Sequence, residues 1–500
     1  MNVRKYFIIV ATVVILLTSV AVFWWPAVLW STIITLPIIL IGLMDTFNRK
    51  SAIKRNFPVI GHFRYLLESF RPEIQQYFVE NDTDGKPINR MFRSLIYQRA
   101  KNITDTMPFG TKMDVYRVGY EWLNHSIYAK DIHEMEHDPR VVVGQKNCSK
   151  PYSMSLLNVS AMSFGSLSAN AILALNKGAR LGGFAHNTGE GGISLHHLQN
   201  SGDLIWQVGT GYFGCRTKDG NFCPDTFAKK AIFEQVKMIE IKLSQGAKPG
   251  HGGILPAAKN TKEIALIRDV EPFTDVLSPT YHKAFSDPNG LLNLIQKMRI
   301  LSGGKPVGFK LCIGNPTEFE EICNAMVATQ ITPDFITIDG SEGGTGAAPV
   351  EFSNSLGMPL REGLNIAVSL LKKYDLKKDI IVIASGKILT AFHMARVFAL
   401  GADACNSARA MMMALGCIQA LQCNTNTCPV GVATQDNGLM KGLDVNDKAV
   451  RVNYYHANTI KAFQELLAAA GLTSAQQLTK KSIFRRISMT DFVTYDEIYK

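Results

Sequence analysis

The hydrophobic pattern divides the chain into a uniformly apolar start and a long remainder in which short apolar runs alternate with helical stretches. From Tyr6 to Met44 no side chain carries a charge, and this run is about twice the ~20 residues that a helix needs to cross a bilayer. Paired tryptophans and Pro26 interrupt it, and they suit a membrane interface and a turn. The pattern predicts a two-helix transmembrane hairpin with spans at about 7–24 and 27–44.

Basic residues flank both ends of this hairpin: Arg4, Lys5, Arg49, Lys50, Lys54 and Arg55. The positive-inside rule places both ends in the cytoplasm, which an even number of spans allows. We therefore expect a protein of the cell (inner) membrane with its catalytic domain in the cytoplasm. A cleaved signal peptide is the alternative, but the run is long for one and shows no clear small-residue cleavage site.

Beyond residue 150 the pattern predicts α/β structure. The strand candidates are Leu156–Met162, Leu204–Val208, Met238–Leu243, Thr274–Leu277, Pro306–Cys312, Phe335–Asp339, Ile380–Ala384 and Ala402–Asn406. Helical stretches separate them, which indicates a parallel sheet, and about eight strands over about 250 residues suit a (β/α)8 TIM barrel. A doubly wound open sheet is the alternative, but no GxGxxG follows the first strand. We predict four parts: the hairpin (1–45), a membrane-proximal cap region (46–150), the barrel (151–440) and a C-terminal helical extension (441–500).

Composition and charge narrow the class of protein. The 500 residues are 46% hydrophobic and carry a net charge of +11, so a large core is available and a disordered chain is excluded. No basic block or nucleic-acid motif accompanies the positive charge. We assign it to a membrane face and to anionic ligands, and we expect no nucleic-acid partner.

Glycine-rich segments follow the strand candidates, where a TIM barrel carries its functional groups. They are Ala161–Ser168, Asn187–Gly192, Gln245–Gly253, Gly340–Gly346, Ser385–Lys387 and Asn406–Arg409. Small residues let backbone N–H groups approach a flat ring or a phosphate, and the last two segments lie where this fold often binds phosphate. Lys310, on an apolar strand, supplies positive charge for a flavin that accepts a hydride.

A cysteine triplet follows the last strand candidate. Cys417, Cys423 and Cys428 have the spacing C-x5-C-x4-C, and no histidine lies between His393 and His456 to complete a zinc site. Three thiolates suit an iron–sulfur cluster with three protein ligands, although the spacing does not separate three-iron from four-iron forms. Three ordinary buried cysteines are the plain alternative.

Residues from about 150 to 440 resemble the FMN-binding synthase domain of glutamate synthase, and the chain looks most like the stand-alone FMN-binding glutamate synthase family proteins. The matching segments are Ala161–Ser168, Asn187–Gly192, Gln245–Gly250, Gly343–Pro349 and Cys417–Gln435. The resemblance implies a (β/α)8 barrel with FMN and a [3Fe-4S] cluster on Cys417, Cys423 and Cys428. In that family, reduced FMN delivers a hydride to the imine formed from 2-oxoglutarate and ammonia, which gives glutamate.

The same resemblance implies roles for individual residues. Met162 and Ser163 approach the flavin ring, and Gln207 and Lys310 contact its polar edge. The remaining cofactor-binding positions are Gly343, Gly344, Gly386, Lys387, Ser407 and Ala408, of which the last four surround the phosphate. Gln245, Lys248 and Glu190 are the catalytic, substrate-facing residues, with Lys248 as a partner for a carboxylate.

The sequence also departs from the family pattern. It contains no glutaminase domain, so we expect it to use free ammonia, and no NAD(P)H fingerprint, so we expect a ferredoxin or a reductase subunit as electron donor. Tyr212 stands where the family has an arginine that helps to hold the dicarboxylate, and Arg216 is a candidate substitute.

Three functions follow from the sequence. The first is a membrane-anchored flavin and iron–sulfur oxidoreductase that makes glutamate. The second is an FMN-dependent oxidoreductase of another 2-oxo or 2-imino acid. The third is a non-catalytic electron-transfer subunit, which would need no substrate residues such as Lys248.

Overall fold

A computed structural model describes residues 3–500, so the first two residues of the predicted hairpin domain lie outside the described part. The chain divides into two compact units between Pro87 and Ile88.

The first unit begins with two apolar helices, as predicted. They span Val3–Trp24 and Pro26–Thr46, and both are long and apolar enough to cross a membrane by length and composition. Trp25 has an extended backbone, and Pro26 starts the second helix with a 3₁₀ turn, where its missing N–H costs nothing. Shorter helical segments follow at Ala52–Asn56, Gly61–Ser69, Arg71–Ile74 and Gln75–Val79.

The second unit is built on a closed barrel of eight parallel strands, which confirms the α/β class and the TIM barrel. We label the barrel strands in chain order: β1 (Leu157–Val159), β2 (His186–Asn187), β3 (Leu204–Val208), β4 (Val236–Lys242), β5 (Val307–Leu311), β6 (Phe335–Asp339), β7 (Ile381–Ser385) and β8 (Ala404–Ser407). Each strand pairs with the next, and β8 pairs with β1. Because the sheet closes on itself, the open doubly wound alternative is wrong.

One predicted barrel strand is wrong and one was missed. Val276–Leu277 pairs antiparallel with Ile254–Leu255, in a two-stranded arm between β4 and β5. This arm lies over the carboxyl ends of the barrel strands, and Val276–Leu277 is not part of the barrel sheet. The missing strand is β2, which has only two residues and therefore no apolar run to reveal it.

Helices surround the barrel, and a late helix completes the ring. The outer helices are Ala169–Gly182, Leu195–Leu198, Pro224–Ala231, Pro288–Leu301, Pro316–Thr329, Val350–Ser355, Leu360–Lys373, Ala391–Ala399 and Arg409–Ala414. The helix Lys262–Arg268 belongs instead to the insertion between β4 and β5 that also carries the arm. The helix after β8 is short, and the long helix Val445–Ala469 packs beside Ala169–Gly182 and Ala391–Ala399 instead. Gly178 permits this approach, because a Cβ there would meet Val452 and the Ala449 carbonyl.

The remaining elements of this unit are neither barrel strands nor outer helices. They are the helices Arg90–Ala100, Asn437–Met440 and Tyr495–Ile498, the 3₁₀ turns Ile132–Glu134, Ala257–Lys259, Ala475–Gln477 and Lys480–Ser482, and the strands Glu121–Leu123, Arg140–Val143, Tyr152–Ser155, Ile483–Arg486 and Phe492–Thr494. The hairpin formed by Arg140–Val143 and Tyr152–Ser155 closes one end of the barrel, because Val143 and Met154 share a buried cluster with inward residues of the strands. The polar site lies toward the other end, as is usual for this fold.

Candidate active site

A single cavity lies at the carboxyl ends of the barrel strands. Every residue predicted to be catalytic or to bind the cofactor lines it: Met162, Ser163, Glu190, Gln207, Gln245, Lys248, Lys310, Gly343, Gly344, Gly386, Lys387, Ser407 and Ala408. Cys423 of the cysteine triplet lines it too. The structure therefore brings together residues from segments more than 200 positions apart in the chain.

A buried carboxylate, Glu240 on β4, organises the cavity floor. Its Oε1 accepts hydrogen bonds from Asn187 Nδ2 (2.8 Å) and Gln207 Nε2 (2.7 Å), and its Oε2 accepts one from Thr337 Oγ1 (2.6 Å). Three strands besides its own are thereby tied to one fully buried side chain. Because Gln207 directs its amide nitrogen to Glu240, its carbonyl oxygen is left to accept a hydrogen bond in the cavity.

Lys310 on β5 is the buried cation of the floor. Its Nζ lies 3.2 Å from Asp339 Oδ2, which also accepts a hydrogen bond from the Gly246 N–H (2.9 Å). Burial alone would lower the pKa of Lys310, but the carboxylates of Asp339 and Glu240 raise it above the ordinary lysine value. Lys310 is therefore a permanent positive charge at neutral pH, on the floor where a ring would rest.

A second ion pair lies at the cavity wall. Lys242 Nζ contacts Glu190 Oε1 (2.9 Å) and donates to Gln245 Oε1 (2.7 Å). Burial would raise the pKa of Glu190, but Lys242, Arg268 and Lys248 lower it below the ordinary value. Glu190 is thus an ionised carboxylate surrounded by cations, and Lys242 also fixes the side chain of Gln245.

Lys248 and Arg268 place further positive charge around the same carboxylate. Burial and the neighbouring Lys242 lower the pKa of Lys248, with Glu190 opposing them. Arg268 is 5% exposed and donates to Ser163 Oγ (3.3 Å) and to the Phe164 carbonyl (3.2 Å). Its Nε is buried without a hydrogen-bond partner in the protein. A buried guanidinium with a free donor is a ready partner for a carboxylate.

The opposite side of the cavity is made of small residues and backbone. Gly386 has φ +145°, Lys387 has φ +46°, and Gly344 leaves the space that the Arg409 guanidinium fills. Asn406 Oδ1 is buried without a partner beside Ser407. These glycines and the unpaired acceptor fit a flat polar group with a phosphate, as glycine-rich loops at this end of a barrel do.

The cysteine triplet lies in an irregular loop after the barrel. All nine cysteines of the chain are free thiols. Burial, together with the thiols of Cys423 and Cys428, raises the pKa of Cys417, so the three thiols share one neighbourhood. Within residues 3–500, no three side chains of histidine, cysteine, aspartate or glutamate are grouped to hold a single metal ion. Iron–sulfur clusters are held by cysteine thiolates, and the three free thiols of this loop are ligands of that type.

Lys259 joins this loop to the cavity. Its buried ammonium donates to the carbonyls of Ser166 (3.1 Å), Cys423 (2.8 Å) and Ala433 (2.8 Å). Ser166 belongs to the loop after β1, which also carries Met162 and Ser163. One side chain therefore holds the cysteine loop against the loop that lines the cavity.

Tyr212 and Arg216 do not line the cavity. Tyr212 is fully buried, its hydroxyl accepts a hydrogen bond from the Ala284 N–H (3.1 Å), and it shares another with His282 Nδ1 (3.0 Å). Because the hydroxyl of Tyr212 is buried and has two hydrogen-bond partners, its role is to stabilise the fold. It adds no charged or polar group to the cavity. The arginines that line the cavity are Arg268 and Arg409, and Arg216 is not among them.

The sequence analysis missed four residues that line the cavity, Lys242, Arg268, Asp339 and Asn406. It also missed Glu240, which is buried and holds the cavity residue Gln207. Glu240 and Lys242 had one available signal. They alternate with apolar residues at the end of β4 and share the inward face of Met238, whereas Lys237 lies on the other face.

The family model of the conserved region in glutamate synthase matches residues 96–473. The chain belongs to the glutamate synthase family. Members of this family are oxidoreductases, so the predicted enzyme class is confirmed.

Individual relatives cover different shares of the chain. The glutamate synthase large subunit-like protein YerD of Bacillus subtilis is 39% identical over 93% of this chain and 96% of its own length. The archaeal glutamate synthase [NADPH] of Methanocaldococcus jannaschii is 35% identical over 64% of this chain, which spans 60% of that protein. Among solved structures, the flavin-binding domain of baker's yeast flavocytochrome b2 aligns over 87% of this chain and 90% of its own, with a TM-score of 0.44 and 11% identity.

Proposed function

We propose that this protein reduces the imine formed from 2-oxoglutarate and ammonia to glutamate, at the cavity described above. The observation that carries the proposal is the ring of cations, Lys242, Lys248 and Arg268, around the ionised Glu190. A substrate with two carboxylates needs at least two cationic partners, and here they are buried, where charge-assisted hydrogen bonds are strongest.

The cavity fits FMN as the cofactor. Gln207 and Lys310 offer an acceptor and a cation on the floor, and Ser385–Lys387 with Asn406–Ala408 offer small residues for a phosphate. FMN, when bound, supplies the hydride. Lys310 would hold positive charge beside the ring without a proton transfer, since Asp339 and Glu240 keep it protonated.

Glu190 and Lys248 suit the proton and carboxylate chemistry of the substrate. Glu190 is held ionised by its neighbours, so it can accept a hydrogen bond from ammonium or an imine nitrogen. Lys248 and Arg268 would bind carboxylate oxygens and thereby orient the substrate. The arm formed by Ile254–Leu255 and Val276–Leu277 lies over the cavity and would limit the access of water to it.

We further propose that Cys417, Cys423 and Cys428 hold a [3Fe-4S] cluster that passes electrons to the flavin. The free thiols, their common neighbourhood and the contact of Lys259 with both loops support this. The reducing partner would be a ferredoxin or a reductase subunit, and the nitrogen donor would be free ammonia.

The two apolar helices support anchoring in the cell membrane. The basic residues at both ends of the hairpin support a catalytic unit in the cytoplasm. Reporters that are active only in the cytoplasm, fused to each end of the chain, test this orientation. We expect both reporters to be active. An amino-terminal reporter on the far side of the membrane would refute the hairpin.

The second candidate is the reduction of another 2-oxo acid. It was suggested by Tyr212 in place of the family arginine, but Tyr212 does not line the cavity, so this argument for it is weaker. An anaerobic assay separates the candidates. Purified protein with a reduced viologen dye, ammonium and 2-oxoglutarate should form glutamate, whereas glutamine as the only nitrogen source should give none. Turnover with other 2-oxo acids but not 2-oxoglutarate would favour the second candidate, and no turnover with any would favour an electron-transfer subunit.

A further inference from the structure

The segment after the second apolar helix carries a continuous apolar face that the rest of the first unit, from residue 3 to Pro87, leaves uncovered. In the helix Gly61–Ser69 and its continuation Arg71–Ile74, the side chains of Phe63, Leu66, Leu67, Phe70 and Ile74 recur at helical spacing. All are between 43% and 60% exposed. A soluble surface rarely keeps so long an apolar stripe in water, so the face needs a partner.

A polar face lies beside the apolar face, about 110° around the helix axis. It carries Arg64, Glu68, Arg71 and Gln75, two of which are basic. Between residues 47 and 79 the chain carries six basic and two acidic side chains. A helix with one apolar face and an excess of cations is typical of a segment that lies in a membrane interface with anionic head groups.

Hydrogen bonds fix this helix to the end of the second apolar helix. Asp45, in the last turn of that helix and 4% exposed, accepts from the Val59 N–H (2.9 Å) and bonds His62 Nε2 (2.9 Å). Gly61 allows close contact at the same place, because a Cβ there would meet the backbone of Ile53 and Lys54. The amphipathic helix therefore starts at the level where a membrane span ends, which is the head-group region.

We propose that residues 61–74 lie in the head-group region of the bilayer that the two apolar helices enter, with Phe63, Leu66, Leu67, Phe70 and Ile74 among the acyl chains. The proposal rests on the proposed membrane anchoring. It assigns the segment a lipid surface as partner, rather than a second copy of the chain or another protein, because the segment continues directly from the spans and its excess charge is positive.

Site-specific photocrosslinking tests the proposal in the full-length protein. The protein is reconstituted into vesicles of phosphatidylethanolamine and phosphatidylglycerol, with p-benzoylphenylalanine replacing one residue at a time. The positions are Phe70 and Phe63 on the apolar face, Glu68 on the polar face, and Ile38 in the second apolar helix, which is 43% exposed. After illumination, mass spectrometry detects lipid adducts and gel electrophoresis detects crosslinked protein.

We expect lipid adducts at Phe70 and Phe63 at several times the yield at Glu68. Adducts at Ile38 but none at Phe70 and Phe63 would overturn the interfacial helix while leaving the anchor intact. Crosslinked dimers at Phe70 and Phe63 in place of lipid adducts would also overturn it, in favour of a second copy. No lipid adduct at Ile38 would refute the anchor and the interfacial helix together.

Discussion

Replacing the buried Glu240 should destabilise the barrel more than any single change at its surface. In Glu240→Gln the side chain keeps its shape but loses its charge. Hydrogen bonds to a charged group contribute about 1.5–3 kcal/mol and neutral ones about 1 kcal/mol. Asn187 and Gln207 both donate to the carboxylate, and Lys310 loses one of the anions that raise its pKa. We therefore expect the free energy of unfolding to fall by about 2–4 kcal/mol.

A leucine at the same position should cost more. Glu240→Leu leaves the donors of Asn187, Gln207 and Thr337 buried without an acceptor, and removing one partner of a buried charged network costs about 3–5 kcal/mol. Glu234, in the turn before β4, is exposed. Glu234→Gln is therefore a matched control that should change stability by less than about 0.5 kcal/mol.

Urea unfolding in mild detergent, monitored by far-ultraviolet circular dichroism, measures these differences in the free energy of unfolding. The midpoints should fall in the order Glu234→Gln, Glu240→Gln and Glu240→Leu, with the first close to the wild type. If Glu240→Gln unfolds at the same urea concentration as Glu234→Gln, the charge of Glu240 does not hold the floor together and the argument fails.

Three further predictions concern the substrate, the cluster and pH. Lys248→Ala should lower kcat/KM for 2-oxoglutarate about ten- to a hundredfold, because a charge-assisted hydrogen bond contributes about 1.5–3 kcal/mol, whereas Lys262→Ala at the surface should leave it unchanged. Cys423→Ser should abolish the cluster's paramagnetic signal and its iron while most FMN stays bound; unchanged iron would exclude the triplet as ligands. Burial lowers the pKa of Lys305 from 10.5 to about 8, and the unfolded chain keeps this proton to higher pH. Stability should therefore rise between about pH 8 and 10.5 relative to Lys305→Gln in urea titrations, and equal pH profiles would contradict this.

The alternation of short apolar runs with helical stretches was sufficient to predict the barrel, except where a strand was too short to form an apolar run. Long apolar runs such as Phe335–Asp339 became barrel strands. β2 has too few residues for a pattern, and its membership depends on pairing with β1 and β3. Val276–Leu277 shows the reverse case, because apolar alternation suits an arm over the cavity as well as a barrel wall.

The cavity was predictable where glycine-rich loops marked it, but its charge network was not. A glycine-rich loop, such as the one with Gly343 and Gly344, is visible in the local sequence alone. By contrast, the role of Glu240 depends on donors from β2, β3 and β6, which come together only in the closed barrel. Arg268 likewise enters the cavity from an insertion whose path no local pattern specifies.

The central claim is tested most directly by watching the protein-bound flavin in a stopped-flow experiment. The protein is reduced anaerobically by titration with dithionite, a two-electron reductant, until the flavin is just reduced and no reductant is left over. It is then mixed with 2-oxoglutarate and ammonium. We predict reoxidation of the flavin that needs both compounds, that is slowed in Lys248→Ala, and that yields glutamate in proportion to the flavin oxidised. Reduced flavin that stays reduced with both compounds present would contradict the proposed reaction.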